Sequence, residues 1–176
     1  MSKRWDEASA YMRQARANHA LGDYLFQYFC EKIIDERREE FWCHVVAQCQ
    51  QSVEKAMKAL ICFGNLDFPK THRADQLLFF LLKRSSILHF KDENLKKLSM
   101  LFGASEKQIV IQLSELAPPK DTTKRNTEYP FLVGKAWIAP AAPNVFTLTE
   151  IQLFLKHSRR IVYTANQIVS ATLFLP

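Results

Sequence analysis

The sequence predicts an all-α protein: an antiparallel, up-and-down bundle of about five principal helices, with one long proline-rich loop before the last helix. Apolar residues recur every three or four positions through most of the 176 residues. The chain has only four glycines and neither of the glycine-rich phosphate-loop patterns. No segment of more than a few residues has the composition of a β-strand. The length predicts a single domain that spans residues 1–176.

The first two helices carry the clearest periodicity. The spacing predicts a helix from about Trp5 to Glu36, with Gly22 as a possible break. A second helix is predicted from about Glu39 to Phe63, with Gly64 as the residue that ends it. Its apolar face is continuous, and we expect a polar face opposite, formed by His44, Gln48, Gln51, Lys55 and Lys58.

Shorter helices are predicted to follow, at His72–Lys83, 93–101 and 106–116. Ser105 and Gln108 have the spacing of a capping box, so we expect Ser105 to begin the last of these three.

Residues 117–146 contain five prolines and are predicted to be non-helical, with their apolar side chains packed on the bundle. Thr147 and Glu150 form a second predicted capping box, with Phe146 and Ile151 placed for a hydrophobic staple. The last helix is expected to continue from there to the C-terminus.

Composition restricts the class of protein. The net charge is +6, and the basic excess lies in residues 118–176, which favours either an anionic partner or ordinary solvated lysines. No apolar run is long enough to span a membrane, and the N-terminus does not resemble a signal peptide. The four cysteines lack C-x-x-C spacing and are interpreted as small core residues. We therefore expect a cytoplasmic protein with no membrane partner, no cofactor and no metal site.

The segment Ala47–Leu60 resembles the signature helix of HEPN domains, the higher-eukaryote and prokaryote nucleotide-binding family. The signature reads Gln-Gln-Ala-x-Glu-Lys-Ala-x-Lys-Ala-Leu, and this chain has Ser52 where alanine is usual. The positions that match are Gln50, Gln51, Glu54, Lys55, Ala56, Lys58, Ala59 and Leu60. Two weaker elements follow in the family's order: Thr71-His72 ahead of the next helix, and Arg125 followed three residues later by Tyr129-Pro130.

This resemblance implies a helical bundle that is commonly a homodimer, that often works beside a small nucleotidyltransferase, and that binds nucleotides or cleaves RNA. The candidate ligand-binding residues are Gln51, Lys55, Lys58, His72, Arg125 and Tyr129. Lysines would pair with phosphates and amides with a base or sugar. The competing interpretation is an ordinary solvent-facing helix surface.

An alternative activity is a metal-independent, toxin-like ribonuclease that uses Arg84 and His89. The segment Arg84–His89 has the Arg-x4-His spacing of the ribonuclease members, in which a general base and a cation act on the 2′-hydroxyl and the phosphorane. In those members the motif lies by the last helices, whereas here it follows the third. The leading hypothesis is therefore a non-catalytic nucleotide-binding or nucleotidyltransferase-partner module, and a structural helical adaptor is the third.

Aromatic residues crowd the first two predicted helices. Tyr24 and Tyr28 share one side of the first helix, and Phe26 and Phe29 share another. A helix that is apolar on two sides needs a second partner surface. We therefore expect a homodimer built from the first two helices, with Lys55 and Lys58 of both chains along a ligand groove at the seam.

Overall fold

The computed structural model describes residues 3–32, 40–84, 96–99, 103–117, 124–128, 131–142 and 145–170. It confirms the all-α helical bundle. The helices are α1 (Lys3–Lys32), α2 (Trp42–Phe63), α3 (Ala74–Arg84), α4 (Ala104–Glu115) and α5 (Leu148–Ser170). Residues 96–99 are also helical, inside the predicted 93–101 helix. A small antiparallel hairpin, β1 (Phe131–Val133) and β2 (Ala136–Ile138), lies between α4 and α5.

Helix α2 is the centre of the bundle, because it packs against each of the other four helices. Its apolar side chains fall on the predicted face and are fully buried, among them Val53, Ala56 and Leu60. The sequence of α2 is apolar around most of its circumference. This helix can therefore be buried on several sides at once and form the core of the bundle.

Helices α1 and α2 run antiparallel, with Asn18 hydrogen-bonded to Gln51 and the Phe26 ring against Trp42. The predicted break at Gly22 was wrong, because α1 continues through it. A Cβ at this position would lie 3.2 Å from the Cβ of Gln48. The absence of a side chain at Gly22 therefore allows α1 and α2 to pack closely.

Helix α2 ends at Phe63 as predicted, but the left-handed residue after it is Asn65 and not Gly64. Asn65 has a φ of 58°, whereas Gly64 has a φ of −72°. The Asn65 amide donates to the carbonyl of Cys62, and the Leu66 amide donates to that of Ile61. This is the Schellman arrangement, in which a left-handed residue satisfies the last carbonyls of the helix.

The two predicted capping boxes differ in outcome. At α5, the Glu150 amide donates to Thr147 Oγ1, and the Thr147 amide donates to Glu150 Oε2, which confirms the box. At α4 the prediction was wrong, because the helix begins one residue before Ser105 and its N-cap is Gly103, with no side-chain cap. Ser105 instead donates its hydroxyl to the carboxylate of Glu106.

The segment between α4 and α5 is non-helical over its described residues, as predicted, but its aromatic side chains do not all pack on the bundle. Phe146 is buried. Trp137, on the hairpin, is 62% exposed, so the expectation that it packs on the bundle was wrong.

Three of the four cysteines occupy the core as interpreted, and Cys30 does not, since it is exposed. Burial raises the pKa of the Cys49 thiol to about 12 and that of the Cys62 thiol to about 11. These thiols are therefore protonated at neutral pH and act as small apolar side chains.

Over the described residues, none of the helices is both long enough and apolar enough to cross a membrane.

A buried carboxylate joins α4 to α5. Glu106 accepts hydrogen bonds from Ser105 and pairs with Nδ1 of His157 at 3.2 Å and with Arg160 at 3.0 Å. Burial alone would raise the pKa of Glu106. The hydrogen bonds and the Arg160 charge outweigh it, so the pKa of this carboxyl lies below its ordinary value of 4.5.

We expect Glu106→Gln to lower the free energy of unfolding by about 1–3 kcal/mol near neutral pH, because the charged hydrogen bonds are lost. A carboxyl with a depressed folded-state pKa stabilises the fold above its unfolded-state pKa and ceases to do so as pH falls through the folded value. The difference between wild type and variant should therefore shrink in acid. Urea unfolding from about pH 7 to pH 3 measures it.

Glu115→Gln is the matched control, because Glu115 is an exposed carboxylate on the same helix. A wild-type advantage over Glu106→Gln that stays constant across this pH range would contradict the assignment.

Candidate functional site

A cleft of about 730 Å³ opens where α3 begins, α4 ends and α5 begins, and Lys124 and Arg125 also line it. Volumes of this order are typical of small-molecule sites. Its wall is part apolar, from Leu116, Leu153 and Phe154, and part polar. The charged and polar residues that line it are Arg73, Gln112, Ser114, Glu115, Lys124, Arg125 and Glu150. We call this the basic cleft, after its three cations.

Arg73 is held at the start of α3 by a carboxylate. Its Nε and Nη2 donate to the two oxygens of Asp75 at 3.1 and 2.7 Å, and this pairing raises the pKa of the guanidinium. The Asp75 amide in turn donates to Ser114 Oγ of α4 at 2.8 Å. A guanidinium has five N–H donors, so Arg73 keeps donors for a ligand while its orientation is fixed.

Arg125 is fixed in a similar way from the opposite side of the cleft. Its Nη1 donates to the carbonyl of Val145 at 2.7 Å, and its Nη2 donates to Glu150 at 3.0 Å. The guanidinium also lies 5.0 Å from the ring centroid of Phe146. Lys124, beside it, is exposed and makes no ion pair with any residue that the structure describes. Two arginines of fixed orientation and one lysine with a long, flexible side chain therefore line the cleft.

Two polar residues of α2 tether the segments that carry these cations. The buried Gln50 accepts a hydrogen bond from Thr127, two residues after Arg125. The buried Glu54 contacts Nδ1 of His72 at 3.3 Å, one residue before Arg73. Two polar positions of the signature helix therefore contact the segments that carry Arg73 and Arg125.

Glu54 is also the centre of a cation cluster. Its Oε1 lies 2.7 Å from Lys58 and 3.2 Å from Lys55. The Lys58 ammonium is buried and lies near the rings of Tyr11 and Phe68. The prediction that Lys58 lies on an exposed polar face was therefore wrong: its charge is used inside the fold.

The other predicted site residues lie apart. Gln51 is exposed and accepts a long hydrogen bond of 3.5 Å from Asn18, and Lys55 is half-buried. His72 is exposed apart from its contact with Glu54. Arg125 lies in the basic cleft. Tyr129 is outside the described residues.

Of the alternative ribonuclease pair, His89 lies outside the described residues, and the pair stays a prediction. Arg84 is exposed at the end of α3, with its guanidinium 4.7 Å from the ring centroid of Phe80. It does not line the basic cleft.

Sequence reasoning missed Arg73, Lys124 and Gln50. Arg73 and Lys124 could have been found from the sequence, because each is next to a predicted site residue: Arg73 follows His72, and Lys124 precedes Arg125. Gln50 belonged to the signature but was not selected as a site residue. Among the described residues, no group of three or more histidine, cysteine, aspartate or glutamate side chains could hold a metal ion.

The fold is a helical bundle with a cleft that three cationic side chains line. The HEPN domain family model matches residues 27–108 of this chain. The resemblance inferred from the signature helix is thereby confirmed. The match includes α2, α3 and Arg73, and it ends before Lys124 and Arg125. No curated protein and no solved structure matches the chain.

Proposed function

We propose that this protein is a non-catalytic, HEPN-type nucleotide-binding module and that its nucleotide binds in the basic cleft. The observation that carries the proposal is the placement of Arg73, Lys124 and Arg125 around one cavity of about 730 Å³. A nucleotide combines a multiply charged phosphate group with a flat, largely apolar base. The cleft offers a surface suited to each part.

The phosphate group of a nucleotide would bind to the three cations of the basic cleft. Arg73 and Arg125 each present unused guanidinium donors, and Lys124 supplies a charge that no described carboxylate neutralises. Arginines whose orientation is already fixed lose less entropy when they bind an oxyanion. The base end fits the apolar wall of Leu116, Leu153 and Phe154.

The residues predicted from the signature helix have a supporting role in this proposal. Glu54 and Gln50 position the cleft through His72 and Thr127. Gln51 and Lys55 do not line the basic cleft, so this proposal gives them no contact with its ligand. The contact expected of Tyr129 stays a prediction. Lys58 contributes by balancing the charge of Glu54.

We expect Lys124→Ala to weaken nucleotide binding by about tenfold without a loss of stability, because a charged hydrogen bond to phosphate is removed and no described ion pair is broken. Isothermal titration calorimetry with nucleoside mono-, di- and triphosphates measures the dissociation constants. Arg73→Ala should have a similar effect on affinity and a small cost in stability.

Lys156→Ala is the matched control, because Lys156 is an exposed lysine of α5 outside the cleft. No binding of any nucleotide to the wild-type protein at millimolar concentration would overturn the proposal, as would an equal loss in Lys156→Ala. Metal-free RNA cleavage that disappears in His89→Ala would favour the toxin-like ribonuclease instead.

We also propose a homodimer, formed through an exposed apolar strip on α1. Leu21, Tyr24 and Tyr28 are 45%, 63% and 45% exposed, and the two tyrosine rings are stacked 6.2 Å apart. Phe26 and Phe29 point to the other side, where they pack on Trp42 and Phe41. A two-fold dimer would cover the strip by pairing it with itself.

Light scattering is expected to give twice the 20.5 kDa mass of one chain. Tyr24→Glu should shift the protein to monomer, because it places charge at the centre of the strip, and Tyr163→Glu on α5 should not. A wild-type protein that remains a monomer at micromolar concentration contradicts the dimer.

The partner implied by the family resemblance is a small nucleotidyltransferase, and we propose that the module works beside it in the cytoplasm. A gene for such an enzyme next to this one, as in toxin–antitoxin pairs, would support the association, and co-purification of the two proteins would test it directly.

A further inference from the structure

Two side chains of opposite charge in the basic cleft have no partner. The two arginines are paired with the carboxylates of Asp75 and Glu150. Lys124 and Glu115 line the same cleft, but neither side chain makes a hydrogen bond or an ion pair with any residue that the structure describes. An unpaired cation and an unpaired carboxylate around one cavity suit a ligand with an anionic group at one point and hydrogen-bond donors at another.

Glu115 adjoins both parts of the cleft. It is the last residue of α4, and its side chain is exposed. The hydrogen bond to Asp75 is the main cause of the raised pKa of Arg73, and the charge of Glu115 adds to this effect. The residue after Glu115 is Leu116, which belongs to the apolar wall. This carboxylate is therefore close to a cation that would hold the phosphate and to the wall that would hold the base.

A second polar side chain of α4 lines the cleft beside this carboxylate. Gln112 lies three positions before Glu115, on the same face of the helix. Its side-chain amide makes no hydrogen bond within the described part of the chain, so its two donors and its acceptor are available. A carboxylate accepts hydrogen bonds and cannot donate them. Together, the two side chains suit a ligand group with adjacent hydroxyls.

We infer that the ligand of the basic cleft is a ribonucleotide, whose ribose hydroxyls hydrogen-bond to Glu115 and Gln112. The inference rests on the proposed function, because it assigns the sugar of the nucleotide that would bind in the same cleft. The sugar is the part of a nucleotide that joins the phosphate to the base, and the 2′- and 3′-hydroxyls of ribose both donate hydrogen bonds. Glu115 would accept them and thereby distinguish ribonucleotides from 2′-deoxyribonucleotides.

The charge of Glu115 is the reason that the hydroxyls would affect affinity. A carboxylate repels a phosphate group bound in the same cleft, and hydrogen-bond donors on the ligand offset that repulsion. A 2′-deoxyribonucleotide has one donor fewer and would offset less of it. Because Glu115 is exposed, water can replace the missing donor in part, so we expect a preference of about tenfold for the ribonucleotide.

The test is isothermal titration calorimetry of the full-length protein with the common ribonucleoside monophosphates and the 2′-deoxy form of each. The wild-type protein should bind the tightest ribonucleotide about tenfold more strongly than its 2′-deoxy form. Glu115→Ala should abolish this preference. The ratio of the two dissociation constants is the deciding quantity, because the general effect of removing a negative charge acts on both nucleotides and cancels in their ratio.

Glu40→Ala is the matched control, because Glu40 is an exposed glutamate just before α2 and does not line the cleft. It should keep the wild-type ratio. Glu115→Gln keeps the size of the side chain and one acceptor oxygen, so it should retain part of the preference. Glu115→Ala should be as stable as the wild type, because the exposed side chain has no described hydrogen-bond partner, and urea unfolding verifies this.

Equal affinity of the wild-type protein for a ribonucleotide and its 2′-deoxy form would overturn the inference and leave nucleotide binding in the cleft intact. A preference that survives in Glu115→Ala would also overturn it. So would a changed base preference in Glu115→Ala with an unchanged ratio, because the carboxylate would then contact the base. If no nucleotide binds at millimolar concentration, the proposed function itself fails. The two failures can therefore be distinguished in one experiment.

Discussion

Glu54→Ala is expected to destabilise the protein by about 3–5 kcal/mol, because it leaves the Lys58 ammonium buried without its partner. Both side chains are almost completely buried, and their 2.7 Å contact is the shortest in the cluster. The same substitution releases His72 and with it the segment that carries Arg73. Urea unfolding measures the stability, and nucleotide titration measures the effect on the cleft.

The double variant Glu54→Leu, Lys58→Met separates charge from packing. Replacing a buried ion pair by apolar side chains of similar volume is often neutral or stabilising, so we expect most of the lost stability to return. Nucleotide affinity should stay low, because the tether to His72 is still missing. Glu128→Ala, at an exposed carboxylate, is the control. A single variant as stable as this control would show that Lys58 is not held by Glu54.

Trp42→Ala is expected to cost about 3–5 kcal/mol of stability, because it removes a large buried ring at the start of α2. Trp42 is 2% exposed and packs on Phe26 of α1. The adjacent stack of Phe29 on Phe41, 4.1 Å apart, would lose support on one side. This aromatic cluster is the contact that closes the end of the α1–α2 pair.

Trp137→Ala is the control, because it makes the same chemical change at a residue that is 62% exposed on the hairpin. We expect this substitution to lower the free energy of unfolding by less than about 0.5 kcal/mol. Thermal and urea unfolding compare the two variants. Tryptophan fluorescence gives a second measurement. Trp42 is buried, Trp5 is half-buried and Trp137 is exposed, so Trp42→Ala should remove the emission at the shortest wavelength and Trp137→Ala should not. Similar losses from both variants would place Trp137 in an interface.

The helices could be predicted from the sequence because helix formation depends on nearby residues. The apolar spacing of α2 and the capping box of Thr147 and Glu150 act within a few positions, and both were confirmed. The cap of α2 was predicted one residue too early, because glycine and asparagine both adopt the left-handed conformation and the structure has it at Asn65.

The environment of the site residues could be determined only from the tertiary structure. The signature helix showed that Glu54, Lys55 and Lys58 share a face, but not that Lys58 turns inward to Glu54 beneath Tyr11 and Phe68. Burial of a charge depends on a partner and on rings from other segments, and helical spacing contains no information about them.

The family resemblance, the all-α class and the order of the helices were thus determined by the sequence alone, because each depends on local periodicity and on a contiguous motif. The basic cleft was decided only by the tertiary structure. Arg73 and Arg125 are far apart in sequence and line one cleft, and the segments that carry them contact Glu54 and Gln50 of α2. Periodicity specifies which face of a helix is apolar, and packing decides which polar side chains are brought together.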